Sequence, residues 1–352
     1  MPHKIWLTEG LSSQRDIIQG ITAAAKYFNH HVTIYASHRQ PRNEILSLAD
    51  HAFIEPGDEQ DRLSFILNNM EKYAIQAIHT GRNAKWFETH RAALEARGAR
   101  LTTGARSLDM LNLADDKVAF ADAMQSRSLP VVPSIRVNSP AQLRTLLASQ
   151  PFGDLPLCVK PVQGIYGMGF WQFDESVSPM AAFTHPDSRR VNAHGYLQAL
   201  DAAPHMEPLV LMPYLPGPEY SVDMLAENGQ VLAAVARRKE GALQYLENGG
   251  AAYELALSCA AAMGADGLIN VQTRNDANGN PLLLEINMRP SGGIGYTRFS
   301  GVNLPGLFAL RQLGLISAQQ VSDEARRAFK PAIVRSLTDV VAYDPVLTNQ
   351  LQ

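Results

Sequence analysis

Over its first hundred residues the chain alternates between two hydrophobic periods, and this limits the fold more than any other feature of the sequence. HKIWLT (3–8) reads as a strand, and SQRDIIQGITAAAKYF (13–28) as an amphipathic helix capped by Ser12 or Ser13. HVTIYAS (31–37), HAFIEP (51–56) and AIQAIHTG (74–81) read as further strands, separated by helical stretches around 60–72 and 83–97. Strands and helices alternating at this spacing are βαβ units, so a parallel sheet with helices on both faces is expected. Such sheets bind ligands beyond the carboxyl ends of their strands, where the strand order reverses. Thr8-Glu9-Gly10 and Thr80-Gly81-Arg82-Asn83 are therefore candidates to flank a substrate crevice, with Arg82 as a plain surface residue equally open. Ser37-His38-Arg39 is a weaker candidate, for which an exposed polar loop is the simpler reading.

At 352 residues the chain has room for two or three domains of roughly 150 residues each. Hydrophobic residues at 46% and charged residues at 18% exclude a disordered chain. A net charge of −3 argues against a nucleic-acid surface over much of the molecule. The two cysteines, Cys158 and Cys259, cannot make a disulfide framework and fit a reducing compartment. Residues 1–10 carry no basic-then-apolar leader pattern, and no apolar run nears the ~20 residues of a membrane helix. A soluble, cytoplasmic, multi-domain protein without nucleic-acid or membrane partners is expected.

After residue 115 the pattern changes. A helix over 115–128 is broken by Pro130 and Pro133, and the strand LPLCVKP (155–161) runs into QGIYGMG and then extended GFWQFDE (169–175). Strands at 209–215, 220–227 and 230–239 follow closely, the last two joined by Asn228-Gly229, a tight hairpin signal. A helix over 251–264 precedes LINVQTRND and PLLLEINMRPSGG. This half reads as α+β and largely antiparallel.

Residues 268–289 form the most informative stretch. With Asn278 and Gly279 at the centre of a two-residue turn, Gln272 lands opposite Glu285 and Asn270 opposite Asn287. Side chains alternate along strands, so these four share one face while Val271 and Ile286 pair on the other. A carboxylate and three carboxamides on one face want water, a ligand or a metal. Oxygen-only donors suit Mg²⁺, above all with phosphates completing the shell; an antiparallel sheet with one wet face is the plain alternative. Upstream, Lys160 ends an apolar strand, and Gly164, Gly167 and Gly169 follow in a loop. Such a loop lets backbone N–H groups approach phosphate, and the lysine adds charge; an ordinary hairpin turn stays open. Arg237, Arg238 and Lys239 alternate faces on one strand, toward phosphate or as a solvated basic edge. The ten histidines show no ligand spacing, and Cys158 reads as core.

Asp116-Lys117, Val159-Lys160-Pro161 with its glycine loop, LVLMPYLPGPEYSVD (209–223), GLINVQ (267–272) and LLEINMRPSGG (283–293) occur in that order. Together, over residues 1 to about 310, they resemble ATP-grasp enzymes of the carbamoyl-phosphate-synthetase-like branch. The resemblance implies an α/β Rossmann-like (pre-ATP-grasp) domain at 1–113 and an α+β ATP-grasp domain of two subdomains. These are 114–205, with the phosphate lid loop, and 206–352, with the metal site and C-terminal segment. By the same resemblance Lys117 and Lys160 reach the nucleotide phosphates, and the loop from Gly164 through Gly167 to Gly169 closes over them. Met212, Pro213, Tyr214 and Leu215 form the adenine hinge, and Glu219 binds ribose. Gln272, Glu285 and Asn287 hold the metal, and Arg289 lies near the transferring phosphoryl group, making Arg289 and Lys160 the catalytic candidates.

Two positions depart from the pattern. Met212-Pro213 stands where many relatives have Glu-Lys or Gln-Glu, and Gln272 where many have an acid, although this branch also uses glutamine. No duplicated half, amidotransferase domain or biotin-carrier motif occurs, so neither carbamoyl phosphate synthesis nor biotin carboxylation is expected. The implied function is an ATP- and Mg²⁺- (or Mn²⁺-) dependent carboxylate–amine, less often thiol, ligase acting through an acyl phosphate and releasing ADP and phosphate. Its partners would be a small-molecule carboxylate and amine, with a homodimer left open. A small-molecule kinase and a non-catalytic nucleotide-sensing module are the rival readings.

Overall fold

The computed structural model describes residues 2–10, 13–164, 167–338 and 340–341. Met1–Asn112, Pro218–Gln272 and Ile286–Gln352 make one compact unit, Leu113–Gly217 and Thr273–Glu285 a second.

In the first unit, β1 (His3–Leu7), β2 (Val32–His38), β3 (His51–Ile54), β4 (Ala77–His79) and β5 (Arg100–Thr102) form a parallel sheet in the order β3-β2-β1-β4-β5. Strand alternation sorts its side chains into two cores. Ile5 and Leu7 pack with Ile34, Ala36 and the helix residues Ile17, Ile18 and Ile21, whereas Trp6 packs with Tyr35, Ile78, Ile66 and Phe87. Apolar burial on both faces is why the βαβ pattern is legible in sequence. The fourth strand is shorter than expected, because the helix Glu59–Tyr73 runs into its place and ends at Ala74 with φ 50°. The stretch 83–97 divides into two helices, Ala84–Thr89 and Arg91–Glu95. Ser13 occupies the cap position of the helix Gln14–Tyr27 without a side-chain capping bond, and Ser12 lies outside the described residues. A short strand, β6 (Gly104–Ala105), follows.

The second unit holds β7 (Ile135–Val137), β8 (Leu157–Pro161), β9 (Trp171–Phe173), β10 (Arg190–Val191) and β11 (Leu209–Pro213), ordered β10-β9-β8-β11-β7. Cys158, Val210 and Met212 pack under Val118 of the helix Lys117–Ser126, while Val159, Leu209 and Leu211 pack on the opposite side with Leu143. Asp116 caps that helix, its carboxylate accepting from the Val118 and Ala119 N–H groups at 3.1 and 3.0 Å.

The remaining strands are β12 (Glu219–Glu227), β13 (Gln230–Glu240), β14 (Leu243–Glu247), β15 (Ala265–Asn275), β16 (Pro281–Asn287) and β17 (Ala332–Arg335). They run in the order β16-β15-β12-β13-β14-β17, with β6 antiparallel to β15. Asn228 (φ 47°) and Gly229 (φ 83°) make the expected two-residue turn, with Glu227 opposite Gln230. Because β13 lies between β12 and β14, Arg237–Lys239 are not on a sheet edge, which corrects that reading.

The β15–β16 turn also differs from expectation. The Asp276 N–H donates to the Asn280 carbonyl at 2.9 Å, and its carboxylate accepts from the N–H groups of Asn278 and Asn280, both at 2.8 Å. The loop is thus three residues, Ala277–Gly279, because the aspartate side chain organises the turn from one residue further back. Leu283 and Ile286, three positions apart, are both buried, and Leu283 is covered by the Pro130–Val132 segment that bonds to it. Glu285 and Asn287 still share a face, with Ile286 turned away.

The helices Leu304–Gln312 and Ala318–Ala328 were not anticipated. The first is apolar almost all round and so has no stripe to read. The second announces itself by a capping box between Ser317 and Gln320. Among the described residues, no helix is long and apolar enough to cross a membrane.

Candidate functional site

In the second unit two lysines from separate elements converge on one carboxylate oxygen. Lys160, on β8, places Nζ 3.4 Å from Glu285 Oε2, and Lys117, the first residue of its helix, places Nζ 3.9 Å from the same atom. Lys117 Nζ also lies 3.3 Å from the Val162 carbonyl and 3.4 Å from that of Gly164, at the root of the glycine loop. Burial holds the Lys117 ammonium below the usual lysine range; Glu285 opposes this and Lys160 adds to it. Two cations and one anion leave a net positive centre, which favours a polyanion over a single charge. In the loop, Gly167 (φ 63°) and Gly169 (φ 72°) take conformations closed to most residues, and Ile165 and Tyr166 lie outside the described residues.

The segment Met212–Leu215 has few free backbone groups. Met212 pairs with Cys158 across β8–β11, Pro213 has no N–H, and the Tyr214 N–H donates to the Pro156 carbonyl at 2.6 Å. The Cys158 thiol lies 3.6 Å from the Met212 carbonyl, and burial pushes its pKa up to about 12. It is therefore a packed thiol and no nucleophile. Arg274, unremarked in the sequence, stacks 4.8 Å over the Tyr214 ring and donates to its hydroxyl at 3.0 Å.

In the first unit Gln272 and Asn287 are half-buried, and Arg289 Nη2 donates to Asn287 Oδ1 at 3.0 Å. Glu219 is ion-paired with Lys239. Asn270, expected in the open polar row, is instead fully buried, its amide donating to Ser221 Oγ (3.0 Å) and Asp223 Oδ1 (2.9 Å). Arg237 completes that buried group through Asp223 at 2.8 Å, while Arg238 pairs with Glu247 at 2.8 Å. No local pattern marks this network, because its hydrogen-bonded partners are 14 to 49 residues apart.

The strand order β3-β2-β1-β4-β5 reverses direction between β1 and β4. There Thr8, Gly10, Gln14, His79, Gly81, Arg289 and Pro290 line a small crevice. Glu9 is buried and turned to Arg39, with Arg82 at 3.8 Å and His38 at 3.9 Å. His38, Arg39 and Arg82 thus gather around Glu9, and none of the four lines the crevice.

Residues 205–340 match the family described as ATP-grasp in the biosynthetic pathway with Ter operon. No curated protein matches the chain. Among solved structures, an L-amino acid ligase from Bacillus licheniformis is similar at 15% identity and a TM-score of 0.63, over 94% of this chain and 77% of that one. An N5-carboxyaminoimidazole synthetase from Staphylococcus aureus has 13% identity and a TM-score of 0.62, over 89% and 78%. The biotin carboxylase domain of the Hydrogenobacter thermophilus 2-oxoglutarate carboxylase, a dimer in complex with MgADP, ADP and bicarbonate, has 18% identity and a TM-score of 0.62, over 95% and 74%.

Proposed function

From the ATP-grasp fold of this chain and its ATP-grasp family match over residues 205–340, we propose an ATP-dependent ligase that phosphorylates a small carboxylate and passes the acyl group to an amine. The convergence of Lys117 and Lys160 on Glu285, with Lys117 also at the root of the glycine loop, carries this reading. In it, the two lysines bind the nucleotide phosphates, and the loop from Gly164 to Gly169 covers them and excludes water from a hydrolysable acyl phosphate. The Met212–Leu215 segment and Glu219 hold adenine and ribose, the latter with Lys239 as its present partner. Arg289 offsets charge on the phosphoryl group in flight. Residues 1–113 serve as a Rossmann-like domain, and 114–205 and 206–352 as the two ATP-grasp subdomains.

Gln272, Glu285 and Asn287 are the oxygen donors proposed for Mg²⁺ or Mn²⁺. The fit lies in the donor chemistry: one carboxylate with two carboxamides is an incomplete hard shell that phosphate oxygens finish. Among the described residues no cluster of three His, Cys, Asp or Glu offers an all-protein cage instead. When bound, the cation would supply positive charge at the phosphoryl oxygens.

Mg-ATP is expected to stabilise the protein by about 2.7 kcal/mol at a hundred times Kd. Thermal unfolding with and without millimolar Mg-ATP checks this, and an unchanged midpoint on folded protein counts against a nucleotide site. The products expected are ADP and phosphate, with hydroxylamine trapping the acyl phosphate as a hydroxamate once an acid from a substrate screen is supplied. AMP would move the protein to an adenylating class. ADP with a stable phosphorylated alcohol and no hydroxamate would select a kinase.

A further inference from the structure

The segment Asn287–Gly293, which carries Arg289, is held at two points. On one side Gly104 lies so close that a Cβ there would sit 1.9 Å from the Met288 carbonyl oxygen. On the other lies the guanidinium of Arg237, buried at 3% exposure. Four of its five N–H groups reach partners: Asp223 Oδ2 at 2.8 Å, Gln244 Oε1 at 2.7 Å, and Ser221 Oγ and Ser291 Oγ, each at 2.9 Å. Ser291 Oγ in turn accepts from the Gly293 N–H at 3.1 Å. A Cβ at Gly293 would lie 2.5 Å from Arg237 Nη1, so the turn rests directly on the guanidinium. Asp223 is fully buried and Asn270 is hydrogen-bonded to it, which fixes the arginine from below.

We infer that Arg237 is a positioning residue, whose planar fork, through Ser291 and Gly293, holds the turn that sets where Arg289 stands. Lysine cannot replace it, since a single ammonium does not reach four acceptors in one plane. The consequence for turnover rests on the reading of Arg289 given above; the anchoring itself does not.

The test compares Ser291→Ala with Arg237→Lys in the full chain. Ser291→Ala leaves the Arg237–Asp223 ion pair in place and so keeps the protein testable if Arg237→Lys fails to fold. Hydrogen exchange is measured first, on free protein. The Gly293 amide is expected to exchange at least tenfold faster in Ser291→Ala, with the amides of β1, β2 and β4 unchanged. Unchanged exchange at Gly293 overturns the anchor, whatever the protein catalyses. In turnover with an acid from the screen, kcat is expected to fall at least tenfold while KM for ATP moves less than twofold. Equal losses in both, or no loss in kcat, overturn the positioning role. A wild-type protein that consumes no ATP with any acid defeats the ligase reading instead, and the exchange result still decides the anchor.

Discussion

Glu285→Gln is expected to lower kcat by about a hundredfold or more, the scale of losing one electrostatic contact made where charge develops. Nucleotide binding should weaken far less. In the free protein Glu285 lies 3.4 Å from Lys160 and 3.9 Å from Lys117 and offsets both charges. Removing its charge leaves the two ammonium groups facing each other, with Lys117 already desolvated, and makes the centre more attractive to triphosphate. What is lost is the sole formal negative charge among the three proposed metal donors. Titration of ATP binding beside steady-state turnover separates the two effects. Gln272→Glu, by contrast, should be tolerated, because a second carboxylate is a competent hard donor. If Gln272→Glu abolished metal binding while Glu285→Gln left turnover intact, the assignment of the donor face would be wrong.

Gly104→Ala is expected to destabilise the protein by about 3–5 kcal/mol, combining the cost of a left-handed backbone for a residue with a Cβ and that of overpacking. The φ at this position is 93°, and the nearest backbone atom to a new Cβ is the Met288 carbonyl oxygen, which cannot swing aside as a side chain can. Gly98→Ala is the control: its φ is 86° but nothing lies within 4 Å of the added carbon, so backbone strain alone applies, at about 1–2 kcal/mol. Urea unfolding of the two variants checks the difference. Equal losses would mean that β6 does not press on the segment bearing Arg289.

How far each part could be read depends on how local its signal is. The parallel sheet was readable because its strands are buried on both faces and its helices on one, and both periods lie within a few residues. The Asn228-Gly229 hairpin was readable because both residues take positive φ. The turn at Asp276 was misplaced by one residue, because an aspartate that bonds two backbone N–H groups competes with the Asn-Gly signal beside it. Among the candidate site residues, Lys160 and Glu285 are legible in the residue pattern and Lys117 only in the family resemblance, and the three stand together in the structure. Asn270 reads as part of the polar row but is fully buried, since the partners that bury it, Ser221 and Asp223, come from another hairpin.

The residue pattern alone settles the strand–helix alternation of the first hundred residues, that Glu285 and Asn287 share a face, and that lysines and glycines suited to phosphate lie in the same half of the chain. These follow from spacing, which the backbone's own periods turn into direction. Long-range packing, by contrast, decided that Arg237 bonds to Asp223, Ser221, Gln244 and Ser291. It also decided that Glu9 is buried against Arg39, and that Gly104 bears on Met288, 184 positions further along the chain. The physical reason is common to all three. A buried charge must find its counter-charge and a buried backbone its clearance wherever folding brings them, and neither requirement leaves a period in the sequence.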